Sequence, residues 1–100
     1  MKKQILIEKY IKPSEIIFRG YGIISEYWFN RNYYLHSFMG QPAENWYYNG
    51  KIKSQNFYKK GAWYRERNLP TYIRYDDNEQ TIHQGWYKNG VFVNYQLAED

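Results

Sequence analysis

Residues 44–65 read ENWYYNGKIKSQNFYKKGAWYR, and this stretch contains the pattern that decides the fold. A run of strand-favouring aromatics precedes Asn49-Gly50, a strong two-residue hairpin signal, and an alternating segment follows it. Lys60-Gly61 marks a second turn, after which a further strand is expected from Ala62 to Arg65. The stretch therefore predicts short antiparallel strands joined by tight turns.

The same order of signals recurs along the chain. Three aromatic pairs follow one another at one fixed interval, at Trp28-Phe29, Phe57-Tyr58 and Trp86-Tyr87. Three prolines open the units at almost the same interval, at Pro13, Pro42 and Pro70. The acidic turn at residues 76–79 lengthens the third unit, which a repeat tolerates because extra loop length costs little. A period within the range of roughly 20–50 residues indicates an array of small supersecondary units.

We predict an all-β fold, an elongated twisted antiparallel sheet of about three stacked β-hairpin repeats, in a single domain of residues 1–100. Each unit should contribute two strands and a shared return strand. The units span approximately residues 13–41, 42–69 and 70–95. Residues 5–7 lie one repeat period before residues that follow a turn in the first unit. This position favours an N-terminal capping strand at residues 4–8 over a short amphipathic helix.

The composition describes a small basic chain that is rich in aromatic residues. Its 100 residues are 43% hydrophobic and 22% aromatic, with a net charge of +4 and a pI near 9.2. Aromatic side chains each bury a large apolar area, which suits a thin sheet in a short chain. The moderate positive charge permits an acidic partner, whether protein, nucleic acid or anionic lipid, without selecting among them.

The chain has no cysteine, which excludes disulfides, cysteine metal sites and thiol nucleophiles. The apolar run at residues 5–7 is far shorter than the roughly 7–15 residues of a signal-peptide core. No stretch approaches the roughly 20 apolar residues of a transmembrane helix. We therefore expect a cytoplasmic protein.

Several segments recur in the order expected of one known repeat family, namely Pro42-Ala43-Glu44 and residues 46–52, 57–61 and 86–90. Over roughly residues 13–95 this order resembles the MORN-variant repeats of the YwqK-type antitoxin repeat proteins. The resemblance implies an elongated sheet of stacked hairpins and a binding or scaffolding role. The chain departs from the family pattern at Arg19-Gly20-Tyr21 and Asn78-Glu79, where the turn glycine is displaced or missing.

Catalysis and metal binding have little support in the sequence. His36 and His83 occupy unrelated positions in the repeat. Ser37 would point to the opposite face of a strand from His36, which is wrong for a nucleophile and its base. The acidic turn at residues 76–79, together with His83, lacks the ligand spacing and central glycine of a calcium loop. We predict that the protein is not an enzyme and has no catalytic residue, metal site or cofactor.

Neighbouring residues of a strand point to opposite faces, so the aromatic pairs divide into two rows. One row contains Trp28, Phe57 and Trp86, and the other contains Phe29, Tyr58 and Tyr87. Without a covering helix, one row is expected to stay partly open, unless the sheet curls and packs both rows as core. We assign Tyr58 to the core row and Trp63 to a binding edge.

The candidate binding surface lies after the turns, where aromatic residues recur beside basic ones. It comprises Tyr33, Tyr34, Trp63, Tyr64, Arg65, Phe92, Lys59, Lys60, Arg67 and Lys88. The expected central anchors are Trp63, Tyr64 and Arg65, with the lysines as a steering rim. On this interpretation the protein is a binding module that inhibits or scaffolds a protein partner, in the manner of an antitoxin or inhibitor.

Other partners remain open at this stage. Aromatic side chains could stack the bases of single-stranded nucleic acid while lysines and arginines contact phosphates, although interspersed carboxylates argue against a continuous phosphate track. Peripheral binding to membrane lipid ranks last, because the chain lacks a clustered basic patch. Unpaired strands at the ends of the sheet also predict self-association through an edge.

Overall fold

The computed structural model describes residues 12–88 and 91–97, with the backbone alone at residues 88 and 92–97. Within this part of the chain nearly all regular structure is β. The strands are β1 (Glu15–Gly20), β2 (Ile23–Tyr27), β3 (Glu44–Tyr48), β4 (Lys51–Asn56), β5 (Tyr58–Lys59), β6 (Ala62–Trp63), β7 (Tyr72–Tyr75), β8 (Thr81–Lys88) and β9 (Val91–Leu97). A short 3-10 helix, Glu66–Asn68, lies between β6 and β7. The strand expected at residues 4–8 lies outside the described residues.

Seven strands form one antiparallel sheet in the order β1-β2-β3-β4-β7-β8-β9. Three of its hairpins, β1–β2, β3–β4 and β7–β8, which we call the long hairpins, lie side by side and each contains a register irregularity of the β-bulge kind. Bulges increase the local twist of a sheet. Each hairpin begins shortly after a repeat proline, at Glu15, Glu44 and Tyr72. The prediction of an all-β antiparallel sheet of hairpins is confirmed.

The turns of the long hairpins use residues that accept positive φ. Asn49 and Gly50, between β3 and β4, have φ of 49° and 81°, as the sequence signal for a two-residue turn requires. The first hairpin turns through Tyr21, whose φ is 55°. The Asn49 N–H donates to the Gly22 carbonyl at 2.9 Å. The tips of the first two long hairpins are therefore joined directly.

The segments that follow the first two long hairpins leave this sheet and form small hairpins. One is the β5–β6 pair, and the other is closed by a bridge between Phe29 and Leu35. The two contact each other, since the Gly61 N–H donates to the Leu35 carbonyl at 2.9 Å. We call these two small hairpins, residues 28–37 and 57–64, the hairpin layer.

This arrangement corrects two details of the prediction. A return strand joins the main sheet only in the third unit, where β9 pairs along β8. The strand expected from Ala62 to Arg65 contains only Ala62 and Trp63. Phe57 explains the difference, because its N–H donates to the Thr71 carbonyl at 2.8 Å while its own carbonyl accepts the Tyr64 N–H at 3.2 Å. The backbone at Phe57 is therefore shared between the residue that precedes β7 and the small hairpin.

The residue after each repeat proline bonds to its own long hairpin, and two of the three, Ala43 and Thr71, also join neighbouring units. Each donates its N–H to the second strand of its own long hairpin: Ser14 to Tyr27, Ala43 to Asn56 and Thr71 to Gly85, at 2.7, 2.8 and 2.9 Å. The carbonyl of Ala43 accepts the Trp28 N–H of the preceding unit at 2.9 Å. Ala43 and Thr71 are 0% and 1% exposed, so these crossings require small side chains.

The apolar core is thin and centres on the first members of the aromatic pairs. Trp28 and Phe57 are 8% and 3% exposed. Trp86 is half-buried, and its indole Nε1–H donates to the Asn68 carbonyl at 2.8 Å. The second members of the pairs are all half-buried. The assignment of Tyr58 to the more buried row is therefore wrong, and its row is the one that stays partly open.

Polar side chains cross one face of the sheet from strand to strand. The Asn45 amide donates to the Glu26 carboxylate at 3.4 Å, and the Gln55 amide donates to Asn45 Oδ1 at 3.1 Å. The Tyr75 hydroxyl then donates to Gln55 Oε1 at 2.6 Å. This ladder links β2, β3, β4 and β7 and satisfies Asn45, which is buried.

The molecule is an elongated slab with extents of 47 × 33 × 22 Å. Its shortest dimension matches a sheet with a second layer on part of one face, because packed sheets lie roughly 10 Å apart. Among the described residues, no helix has the length and apolar character needed to cross a membrane.

Candidate binding groove

A groove opens between two chain segments that each lead from a small hairpin to the next long one. It encloses about 530 Å³. Residues 36–40, 57–59 and 64–69 contribute its lining, namely His36, Ser37, Met39, Gly40, Phe57, Tyr58, Lys59, Tyr64, Arg65, Glu66, Arg67 and Leu69. We call it the linker groove. Its volume lies within the range of small-ligand pockets in proteins, roughly 300–1,000 Å³.

Arg65 is held in place at the linker groove by two contacts. Its guanidinium carbon lies 3.7 Å from the centroid of the Phe57 ring, and its Nη1–H donates to the Pro70 carbonyl at 3.1 Å. The side chain is half-buried. Desolvation lowers the pKa of Arg65, with a smaller opposing effect of Tyr75. Arginine stays charged under all ordinary conditions, so the site contains a fixed and partly desolvated cation.

Two further cations lie on the same lining. Lys59 Nζ is 5.0 Å from the centroid of the Tyr64 ring, a cation–π contact. Arg67 is exposed and sits in the left-handed region with φ 62°. The turn that carries it is fixed on both sides, by the Trp86 bond to the Asn68 carbonyl and by the Leu69 N–H, which donates to the Glu66 carbonyl at 3.3 Å.

His36 reports the positive electrostatic environment of the groove. Its Nδ1 accepts the Lys60 backbone N–H at 3.1 Å, and its ring centroid lies 4.8 Å from that of Phe38. Burial lowers the pKa of His36, and the charges of Lys59 and Lys60 lower it further. The imidazole is therefore neutral near neutral pH and acts as a hydrogen-bond acceptor.

The cations of the linker groove lack carboxylate partners within residues 12–88 and 91–97. Among these residues the ion pair joins Lys53 of β4 to Asp77 of the β7–β8 turn. Glu66 is the single acidic residue of the lining and is exposed. The groove thus combines three cations with apolar surface from Phe57, Met39 and Leu69.

The structure brings four of the ten predicted binding residues into this lining: Lys59, Tyr64, Arg65 and Arg67. Lys60 is adjacent in sequence and exposed. Tyr33 and Tyr34 are 85% and 55% exposed on the neighbouring small hairpin, and a Cβ on Gly61 would lie 3.1 Å from Tyr34 Cδ1. These seven residues form one continuous region of the hairpin layer and the linker that follows it.

Trp63 has a different environment from the open anchor expected from sequence. Its ring centroid lies 6.0 Å from that of Tyr58 and 4.0 Å from that of Tyr87. It therefore packs against Tyr58 of its own small hairpin and against Tyr87 of β8. The side chains of Phe92 and Lys88 lie outside what the structure describes.

Sequence reasoning missed the linker contribution to the site. His36, Met39 and Leu69 line the groove, but the local sequence around each of them lacks the aromatic-plus-basic pattern that marks the other residues. The repeat period contained a usable signal, because His36 and Arg65 are separated by the same interval as the aromatic pairs and so occupy equivalent positions in successive units. Linkers of adjacent units in a stacked array are neighbours in space.

No protein-family model, curated protein or solved structure matches the chain. Over the described residues, no group of three or more histidine, cysteine, aspartate or glutamate side chains is placed to hold a metal ion.

Proposed function

We propose that this protein is a non-enzymatic binding module that inhibits or scaffolds a protein partner through the hairpin layer and the linker groove. The observation that carries the proposal is the groove itself, with cations that lack carboxylate partners among the described residues, beside Tyr33 and Tyr34. Exposed tyrosine and pre-positioned arginine are typical of protein-binding hot spots. The MORN-like resemblance supports the same class and suggests an antitoxin-like role, and the lack of cysteine suits a cytoplasmic location.

The aromatic rings at the linker groove favour binding to protein over binding to single-stranded nucleic acid, because their faces are already covered. Base stacking needs an open aromatic face. The Phe57 ring is buried under the Arg65 guanidinium, and the Tyr64 ring is faced by Lys59. Beside the linker groove, the exposed aromatic side chains are therefore Tyr33 and Tyr34, which lie on one small hairpin.

The test is an affinity capture of the tagged protein from a lysate of its source organism, with and without nuclease. We expect a stoichiometric protein that survives nuclease and is captured less well by the Tyr34→Ala and Arg67→Gln variants. Lys51→Gln, which removes a positive charge at the exposed β3–β4 turn, is the matched control. A partner that is lost on nuclease treatment, or is captured equally by all variants, would contradict the proposal.

A further inference from the structure

We propose that the linker groove binds an acidic, extended segment of the partner protein, whose carboxylates contact Arg65, Arg67 and Lys59. This inference rests on the proposed function and specifies the chemistry of the partner. It starts from charge complementarity, because three cations face a groove that contains one exposed carboxylate, that of Glu66. A partly desolvated cation without a counter-ion is costly, and an incoming carboxylate reduces that cost.

Arg65 is the strongest element of the argument because its position is set before the ligand arrives. The Phe57 ring and the Pro70 carbonyl fix the guanidinium plane, and only one of its five N–H groups is used in the Pro70 bond. A fixed guanidinium loses little conformational freedom on binding and offers two parallel donors to a carboxylate. Lysine at this position would lack that geometry.

The shape of the site favours an extended segment over a single small anion. The lining combines charged and apolar residues, since Met39, Phe57 and Leu69 line the groove together with the three cations. The volume of about 530 Å³ has room for several side chains. An extended peptide presents successive side chains on opposite sides, so acidic residues at alternate positions could meet the cations together.

The acidic turn of a second copy of this chain is a poorer occupant. Asp76 Oδ1 accepts the backbone N–H groups of Asn78 and Gln80 within its own turn, at 2.8 and 3.0 Å. Asp77 is paired with Lys53, which lowers the pKa of its carboxyl. These two carboxylates are already engaged, so a segment of another protein fits the site better.

The experiment measures binding of labelled peptides by fluorescence anisotropy. The probe is a peptide of about eight residues that alternates glutamate with leucine, compared with a peptide that has glutamine in place of glutamate and with an oligothymidylate of similar length. We expect the acidic peptide to bind at least about tenfold more tightly than both, with affinity falling as salt rises, since one charge-assisted hydrogen bond corresponds to about a tenfold effect.

Variants locate the binding. Arg67→Gln and Lys59→Gln should each weaken binding of the acidic peptide by about three- to tenfold. Lys51→Gln makes an equal change of net charge at a distance and should weaken binding by less than about twofold. Arg65→Lys keeps the charge but loses the paired donors, and we expect a loss of about tenfold. Circular dichroism of each variant separates lost binding from lost folding.

Several outcomes would overturn the inference: equal or no binding of the acidic and neutral peptides, tighter binding of oligothymidylate, or an effect of Lys51→Gln as large as that of Arg67→Gln. If the acidic peptide does not bind while nuclease-resistant capture of a partner still depends on Arg67, the acidic-segment inference is wrong and the proposed function stands. If that capture also fails, both are wrong.

Discussion

Ser37 shows how a single hydroxyl maintains the repeat. In each unit the backbone N–H of the second aromatic residue donates to a hydroxyl at 3.0 Å: Phe29 to Ser14, Tyr58 to Ser37 and Tyr87 to Thr71. In the first and third units the acceptor follows the repeat proline. The second unit has Ala43 at that position, and Ser37 of the preceding unit supplies the oxygen instead.

We predict that Ser37→Ala lowers the free energy of unfolding by about 1–2 kcal/mol, because the Tyr58 N–H loses its acceptor in a partly buried site. Adding Ala43→Ser to that variant should restore most of the loss, since the new hydroxyl occupies the equivalent position of Ser14 and Thr71. Chemical denaturation of the two single variants and the double variant measures the coupling. Additive losses in the double variant would show that the two positions do not share this role.

The neutral state of His36 predicts a pH dependence of stability. Its pKa in the folded protein lies below the ordinary value of 6.5, so below pH 6.5 the unfolded chain binds a proton more readily than the folded one. Stability contributed by this group is complete above about pH 6.5 and decreases as the pH falls towards the folded pKa. Protonation also removes Nδ1 as the acceptor for Lys60.

The measurement is urea unfolding between pH 7.5 and 5.5, with His36→Asn as the comparison. Asparagine offers an oxygen acceptor at the position of Nδ1 and does not titrate, so this variant should lose the decline in that window. The contribution of Asp77 to the pH dependence is distinguishable from that of His36. Lys53 lowers the pKa of the Asp77 carboxyl below 3.8, so the stability that it contributes is lost only as the pH falls through that lower range. An identical decline in both proteins would exclude His36 as its source.

At the scale of elements, two glycines have opposite constraints. Gly61 turns the small β5–β6 hairpin at φ +85°, and a Cβ there would meet Tyr34 Cδ1 at 3.1 Å. Gly85 lies within β8 outside the left-handed region, and its Cβ would make ordinary contacts with Tyr87 and Tyr72 at 3.5 and 3.6 Å. The first glycine is required by backbone geometry, whereas the second is not.

We therefore predict that Gly61→Ala destabilises the protein by more than about 1 kcal/mol, while Gly85→Ala stabilises it by roughly 0.5–1 kcal/mol. The stabilisation arises because alanine restricts the unfolded chain and adds apolar contact. Thermal unfolding of both variants and of the parent protein measures these changes in stability. A loss on Gly85→Ala similar to that on Gly61→Ala would mean that β8 cannot accept a side chain at this position.

The elements also show what the sequence could predict. Asn49-Gly50 and the repeat period predicted the long hairpins, because turn chemistry and aromatic spacing are local signals. The turn at Lys60-Gly61 was also a local signal, whereas the packing of the two small hairpins into a layer was not predicted. That packing depends on hydrogen bonds between residues of different units, such as that from the Gly61 N–H to the Leu35 carbonyl. For the same reason the sequence selected Lys59, Tyr64, Arg65 and Arg67 but not the linker residues that complete the groove with them.

At the scale of the whole molecule, contacts between aromatic rings join the two layers. Tyr58 and Trp63 belong to the β5–β6 hairpin, and Tyr87 belongs to β8 of the main sheet. The Trp63 ring makes tilted contacts with both of the others, at centroid distances of 6.0 Å to Tyr58 and 4.0 Å to Tyr87. Desolvation raises the pKa of Tyr58 to about 12, in agreement with a hydroxyl that is partly removed from water.

Trp63 should therefore determine global stability, although its position after a turn suggested a binding anchor. We predict that Trp63→Ala lowers the free energy of unfolding by about 3 kcal/mol, in the range for buried aromatic truncations. Because Tyr87 contacts the Trp63 ring directly, Tyr87→Ala combined with Trp63→Ala should cost less than the sum of the two single changes. Tyr33→Ala, at a side chain that is 85% exposed, should change stability by less than about 0.5 kcal/mol.

Urea unfolding measures the free energy of unfolding of each variant. It is followed by tryptophan fluorescence for Tyr33→Ala and Tyr87→Ala, and by circular dichroism for the Trp63 variants. A Trp63→Ala protein as stable as the Tyr33→Ala protein would show that the hairpin layer folds without this contact, and would return Trp63 to the candidate binding residues.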